Sequence, residues 1–269
     1  MKNEETKIVV IGGTGLIGSK VVAGLKADGY NAVAASPDTG VNTLTEEGLA
    51  EALDGASTVV DVSNSPSFED KAAMDFFTTS TGNLLKFEAE AGVKHHVALS
   101  IVGIDHMTEV GYYRAKIAQE KLIKESPIPY SIIHATQFFE FAKGIADSAM
   151  DGDTVRLAPI QIQPMAADDV ANAVVRVAER PPLNGTEEIG GPEVLTLVEF
   201  VRKALKARND VRKVVIDPEA RFFGARLSRM SLLPQDGARL ASTRFEDWIA
   251  DPKNQPPSEG SKPRTATAK

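Results

Sequence analysis

The chain has no cysteine among its 269 residues. That excludes disulfide staples, thiolate catalysis and cysteine-ligated metal. It also lacks an excess of basic charge. Thirty Lys and Arg stand against 37 Asp and Glu, a net charge of -7, which argues against general nucleic-acid binding. Small anionic ligands are not excluded, because they respond to local fields rather than to net charge. No apolar run approaches the roughly 18 residues of a membrane span. The first residues, MKNEETK, are charged and lead directly into an apolar run, which is not the pattern of a secretory signal. The expectation is a cytoplasmic protein that meets neither nucleic acid nor membrane. With 42% hydrophobic residues it can bury a large core.

What is present is most concentrated in residues 6–18, TKIVVIGGTGLIG. A short strand-like run ends in a glycine cluster, and a helical pattern starts at Leu16. Gly13, Gly15 and Gly18 make a G-x-G-x-x-G, and Gly12, Gly15 and Gly18 make an overlapping G-x-x-G-x-x-G. The first glycines permit a tight turn, the middle one lets backbone approach a pyrophosphate, and the last lets helix and strand pack closely. The helix start adds free N–H groups and the positive end of a dipole. Gly12, Gly13, Thr14, Gly15, Leu16, Ile17 and Gly18 are therefore the expected dinucleotide cradle. An ordinary glycine-rich turn is the competing reading.

Strand-like and helical runs then alternate. Strands are expected at 7–11, 31–35, 58–62, 95–100 and 130–134. Helices are expected at 16–28, 45–53 with Thr45 as N-cap, 68–91 ended by Gly92, 112–126 and 138–150. Repeated βα units imply an α/β fold, a doubly wound parallel sheet of Rossmann type, with its crevice at the strand C-terminal ends. Past residue 135 the pattern loosens. Strands are expected at 154–157, 186–189 and 214–216, and helices at 167–179, with Asp168 and Asp169 in its first turn, and 197–207. The organisation read from this is one domain over 1–250, with a core of about 6–136 and a small substrate lobe mainly in 137–250. A tail at 251–269, rich in Pro, Lys, Ser and Thr, has no apolar periodicity and reads as disordered.

A second constellation follows the fourth strand. Ser100 stands at its end, and Tyr112-Tyr113-Arg114-Ala115-Lys116 opens the next helix as Y-x-x-x-K. Positions i and i+4 share a helix face. A nearby ammonium would favour the phenolate and lower the Tyr112 pKa from its ordinary value near 10. Ser100 could hold a carbonyl oxygen while Tyr112 exchanges the proton. Against this stand simple packing for Tyr112, a solvated charge for Lys116 and a strand-end cap for Ser100. Tyr113 is a rival for the exposed tyrosine, but it is only three residues from Lys116.

Cofactor choice is read after the second strand, at Ala35-Ser36-Pro37-Asp38-Thr39-Gly40. No acid stands at Ser36, where one would bind a ribose 2′-hydroxyl and repel a 2′-phosphate. Ser36 and Thr39 could donate to a phosphate, so NADP is expected. Asp38, turned inward, would favour NAD instead, and plain turn chemistry is the other explanation of the segment. Ser63 and Asn64, with Ser65, follow the third strand and are expected to line the cofactor. Phe138, with Thr136, Gln137 and Phe139, follows the fifth and is expected beside the nicotinamide; Phe138, Phe139 and Phe141 could equally be core. His95 and His96 have no third ligand at metal spacing, so no metal site is expected. His106, and Arg221, Arg226 and Arg229 on a partly helical stretch, are weaker candidates; solvated positions explain them as well.

Together GGTGLIG, VKHHVALSIVG, GYYRAKIAQE, TQFFEF and PMAADDVANAV resemble the short-chain dehydrogenase/reductase superfamily, in its atypical, NmrA-like NAD(P)-binding branch. The likeness covers most of 6–180. It implies that Tyr112 is the acid–base catalyst, Lys116 binds the nicotinamide ribose and Ser100 orients the carbonyl. One departure stands out: Phe77 occupies the place of an active-site Asn on the long helix, and Asn83 is a later, structural one. The resulting expectation is an NADP-dependent oxidoreductase acting on a small carbonyl, alcohol or related substrate, as a monomer or homodimer. Two alternatives are a non-catalytic NAD(P)-binding redox sensor and an epimerase- or lyase-type relative that retains its cofactor.

Overall fold

The computed structural model describes residues 6–254. Seven parallel strands form the central sheet in the order β12-β9-β5-β4-β3-β1-β2. They are β1 Lys7–Ile11, β2 Asn31–Ala35, β3 Ala56–Asp61, β4 His95–Ile101, β5 Tyr130–Ala135, β9 Gly185–Gly190 and β12 Arg239–Leu240. The sheet is buried on both faces, which is why β1 reads as an unbroken apolar run. The sequence reverses direction at β1, with β2 on one side and β3 on the other. That is the switch point at which such sheets hold ligands.

On one face α1 (Gly18–Ala27) packs on α6 (Ala167–Ala178). Gly24 makes this close approach possible, since a Cβ there would lie 2.9 Å from Val175 Cγ2. On the other face α3 (Asp70–Ala91) packs on α4 (Gly111–Glu125), and α2 (Leu49–Leu53) packs on α3. Gly92 ends α3 in the left-handed region at φ +72°, as the sequence suggests.

A second body of core lies beyond β5. Its helices are α5 (Ala142–Ser148), α7 (Leu197–Ala207) and α8 (Phe245–Ala250). A three-stranded sheet joins β6 (Met150–Asp151), β7 (Thr154–Leu157) and β11 (Lys213–Ile216), and β8 (Gln161–Ile162) pairs with β10 (Leu195–Thr196). Phe139, Phe200, Phe245 and Trp248 interlock at its centre, with ring centroids 4.6–6.4 Å apart. Thr196 and Glu199 cap α7 reciprocally.

Several expectations need correction. Thr45 caps nothing: α2 begins only at Leu49, after Glu46 and Gly48 in left-handed turns. The helix expected over 138–150 is a short 3-10 turn at Phe139–Phe141, then α5, then the strand β6, because Met150 and Asp151 pair with β7. The stretch carrying Arg221, Arg226 and Arg229 is not helical; it holds a tight turn whose Phe222 and Ala225 bridge each other. The chain does not divide cleanly at residue 136, since β9, β12 and α6 all belong to the layers of the main sheet. Of the expected tail, residues 251–254 form a turn held by Asn254 Nδ2, which donates to the Trp248 carbonyl at 2.8 Å. Residues 255–269 lie outside the described residues.

Candidate active site

The glycine turn sits at the switch point, walled by β2 and the end of β3. A Cβ on Gly12 would lie 2.9 Å from Ser63 Cα, and Gly12 has φ +74°. A Cβ on Gly13 would lie 2.7 Å from Ala34 Cα, and one on Gly18 would lie 2.1 Å from the Gly12 carbonyl oxygen. Gly15 differs: it is exposed, and a Cβ there meets only the Gly12 oxygen, at 3.2 Å. Three glycines thus keep backbone against backbone, and the fourth keeps the outer surface of the turn bare. The Gly12 and Gly13 amides are tied to the Ala35 carbonyl and the Gly15 amide to that of Gly12. Among the described residues no acceptor takes the N–H groups of Leu16, Ile17 or Gly18, which stand at the start of the ten-residue α1. An exposed glycine beside a row of unspent amides fits a diphosphate.

Beside this turn the β2 loop folds inward. The Thr14 amide donates to Ser36 Oγ at 3.3 Å, and Thr14 Oγ1 donates to Asp38 Oδ1 at 3.0 Å. Thr39 Oγ1 accepts from the Ser36 amide at 2.9 Å and lies within donating distance of the Ser36 and Ala34 carbonyls. Thr39 is therefore spent on the turn itself, while the loop brings both Ser36 Oγ and the Asp38 carboxylate to the glycine turn.

The second constellation opens α4. Asp70, at the start of α3, fixes that end: its carboxylate accepts from the Gly111 amide at 3.0 Å and from Arg114 Nη2 at 2.7 Å. Tyr112 is half-buried and its hydroxyl donates to Asn64 Oδ1 at 2.7 Å. Tyr113 is the buried tyrosine, packed into the second core. Lys116 is buried as well. Its Nζ donates to the Leu99 carbonyl at 2.9 Å and to Gln119 Oε1, and lies 4.8 Å from the centre of the Phe77 ring. Tyr112 thus meets Asn64 on the loop after β3, while Lys116 is held against β4.

Burial and hydrogen bonding act on the expected proton chemistry. Burial pushes the Tyr112 phenol up to about 12, and Lys116 does not lower it. Burial pulls Lys116 down to about 8, with Asp61 and Glu120 opposing in part. Ser100 is not turned toward Tyr112. Its Oγ donates to Glu120 Oε1 at 2.6 Å, and the same oxygen lies 2.8 Å from His134 Nε2. Burial of Glu120 would raise its pKa, yet His134, Lys124 and Ser100 together hold it down to about 2.

The other expected residues are scattered in role. Ser63 Oγ and its amide donate to Asp61 Oδ1 at 2.6 and 2.9 Å. Phe138 is half-buried and stacks on the exposed Phe141 at 5.1 Å, whereas Phe139 is core. Thr136 Oγ1 donates to the Gln163 carbonyl at 2.7 Å, and Gln137 Oε1 is buried without a protein partner. His95 Nε2 lies 2.8 Å from Ser131 Oγ, and His96 Nδ1 lies 2.8 Å from Glu88. His106 is exposed, Arg221 pairs with Glu109, and Arg226 pairs with Glu219. Asp61, Asp70 and Gln119 were not legible as site residues. Each is an ordinary polar residue in the sequence, and only tertiary packing brings it to the crevice.

Residues 12–181 match the family described as NAD(P)H-binding. The chain belongs to that family. No curated protein matches the sequence. Solved structures share the fold at low identity. MoeE5, in complex with UDP-glucuronic acid and NAD, is 17% identical over 90% of this chain and 91% of its own, with a TM-score of 0.65. The Thermus thermophilus UDP-glucose 4-epimerase, in complex with NAD, is 17% identical over 83% of this chain and 91% of its own, also at 0.65. TunA, an NAD-dependent NDP-hexosamine 5,6-dehydratase involved in tunicamycin biosynthesis, is 15% identical over 91% of this chain and 95% of its own, at 0.66. These structures share the fold of this chain, and the family match shows that it is NAD(P)H-binding.

Proposed function

We propose that this chain is an NAD-dependent reductase of small carbonyl substrates, with Tyr112 as the proton donor. The observation that carries the reading is the half-buried Tyr112 hydroxyl, hydrogen-bonded to Asn64 at 2.7 Å on the loop that walls the glycine turn. Gly12 to Gly18 would hold the diphosphate. Ser63 and Asn64 would line the pocket above Asp61, Lys116 would meet the nicotinamide ribose, and Phe138 would stand beside the ring. When bound, a reduced nicotinamide supplies a hydride to an electrophilic carbon.

The chain's own task is the proton. Taking a proton from an alcohol would need the phenolate, which burial disfavours, so the role assigned to Tyr112 is that of the protonated phenol, the donor in the reducing direction. Asn64 and Phe68, whose ring centroid is 5.1 Å from that of Tyr112, fix its direction. Ser100 is held by Glu120 and does not share this step unless that bond opens.

Asp38 argues for NAD over the NADP that the sequence alone suggests. A carboxylate on Thr14 suits a ribose 2′-hydroxyl and repels a 2′-phosphate. The NmrA-like reading rests on the motifs between residues 12 and 174. A panel of aldehydes and ketones, followed by NADH consumption, tests the reading. Tyr112→Phe should lose on the order of 100-fold or more in kcat, and full turnover by that variant would refute the role of Tyr112.

A further inference from the structure

Lys116 is buried, yet among the described residues no carboxylate touches its ammonium. An ammonium has three protons and accepts nothing. One goes to the Leu99 carbonyl, one to Gln119 Oε1, and the Phe77 ring lies under the remaining face at 4.8 Å. Gln119 cannot turn its amide around. Its Nε2 donates to Asp61 Oδ2 at 2.9 Å, and a carboxylate can only accept while an ammonium can only donate. Asp61 is itself fixed, because its other oxygen accepts from the Ser63 amide and hydroxyl. Phe77 is fully buried in α3, and its ring also meets that of Tyr112 edge-on at 5.8 Å. One aromatic ring therefore packs against both residues of the Y-x-x-x-K pair.

We infer that Phe77, Gln119 and Asp61 are positioning residues that hold the Lys116 ammonium on the floor of the crevice, against the Leu99 carbonyl and apart from the Tyr112 hydroxyl. The aromatic face takes the place of a polar relay through α3. The amide passes the fixed direction of Asp61 to the lysine without neutralising it. Ser63 continues the same chain of contacts to the wall of the glycine turn, where a Gly12 Cβ would meet it. Lys116 is thus a charge fixed in place, while Tyr112 keeps its proton. The groups facing Lys116 are Asp61 from β3, Gln119 and Glu120 from its own helix, the neutral Phe77 from α3 and the Leu99 carbonyl from β4. The inference deepens the proposed function, on which only its cofactor arm rests.

Lysine labelled at Cε, observed by NMR in the full chain without ligand, tests it directly. The Lys116 signal is identified by its loss in Lys116→Arg. It should be displaced upfield by the Phe77 ring and titrate near 8, well below the exposed lysines. Phe77→Leu should abolish the displacement. Asp61→Asn should lower the midpoint, and Gln119→Glu should raise it by a pH unit or more. A wild-type signal that lies and titrates with the surface lysines overturns the inference even if every variant fails to fold. The cofactor arm uses NADH titration of the same proteins. Gln119→Leu should weaken NADH about tenfold, while Lys121→Gln, on the exposed side of α4, leaves it unchanged. Wild-type protein that ignores NADH would sink the proposed function, and the lysine spectra would still decide this inference by themselves.

Discussion

At the scale of single residues, the site is decided by what each polar group is already bonded to. Asp38 donates nothing and sits on Thr14, so Asp38→Ser should shift preference toward NADP(H) by about tenfold, close to 1.4 kcal/mol. Paired titrations with NADH and NADPH measure this. The adjacent histidines behave oppositely. Burial, with His96 beside it, holds His95 down to about 4. Burial also works against a charge on His96, but Glu88 overrides it and raises that residue. The sign for His95 follows from linkage. The unfolded chain takes a proton below about 6.5 that the folded chain refuses until about 4, so the His95 contribution falls as pH drops through that window. His95→Gln should therefore lose about 2 kcal/mol less stability than wild type between pH 7 and pH 5, measured by urea unfolding. Identical pH slopes would contradict it. The glycine motif and the Y-x-x-x-K pair could be singled out because their patterns lie in local spacing. The sequence left the turn of Asp38 open, and the direction of Ser100 and the Gln119 bridge were not readable, because each is set by a tertiary partner.

At the scale of elements, the strands and long helices of the first half were readable from period and punctuation. A buried parallel strand is a short apolar run, and Gly92 stops α3 where a left-handed residue is needed. The failures differ in cause. At 138–150 tertiary pairing outweighed the local helical pattern, since β6 leaves the helix to join β7, whereas at 45–48 two left-handed residues delay α2. The glycine turn yields a prediction that separates fold from binding. A side chain at position 18 collides with backbone, whereas one at 15 reaches the outer face. Gly18→Ala should lower Tm by several degrees, while Gly15→Val should melt close to wild type and lose NADH. Equal melting losses would contradict the division. In the second core, Phe245 lies 4.6 Å from Phe200 and 4.9 Å from Phe139. Phe245→Ala should cost about 3–5 kcal/mol. Trp248, the only tryptophan, reports the loss by its fluorescence.

At the scale of the whole molecule, one sheet gathers residues distant in sequence around its switch point. β1 brings the glycine turn, β2 brings Asp38, β3 brings Asp61 and the Asn64 loop, and β4 leads to the helix of Tyr112 and Lys116. The second half returns through β9 and β12 to complete that sheet, so the crevice and the second core form around a common frame. Among the described residues no helix is long and apolar enough to cross a membrane. The central claim is that unspent amides at the start of α1 grip a dinucleotide diphosphate, with Asp38 choosing its ribose. Calorimetric titration of NADH and NADPH into wild type and Gly15→Val tests it most directly. The account predicts one NADH per chain, bound about tenfold more tightly than NADPH, with the heat abolished in Gly15→Val. No binding of either coenzyme to wild type, or undiminished binding by the folded variant, would contradict it.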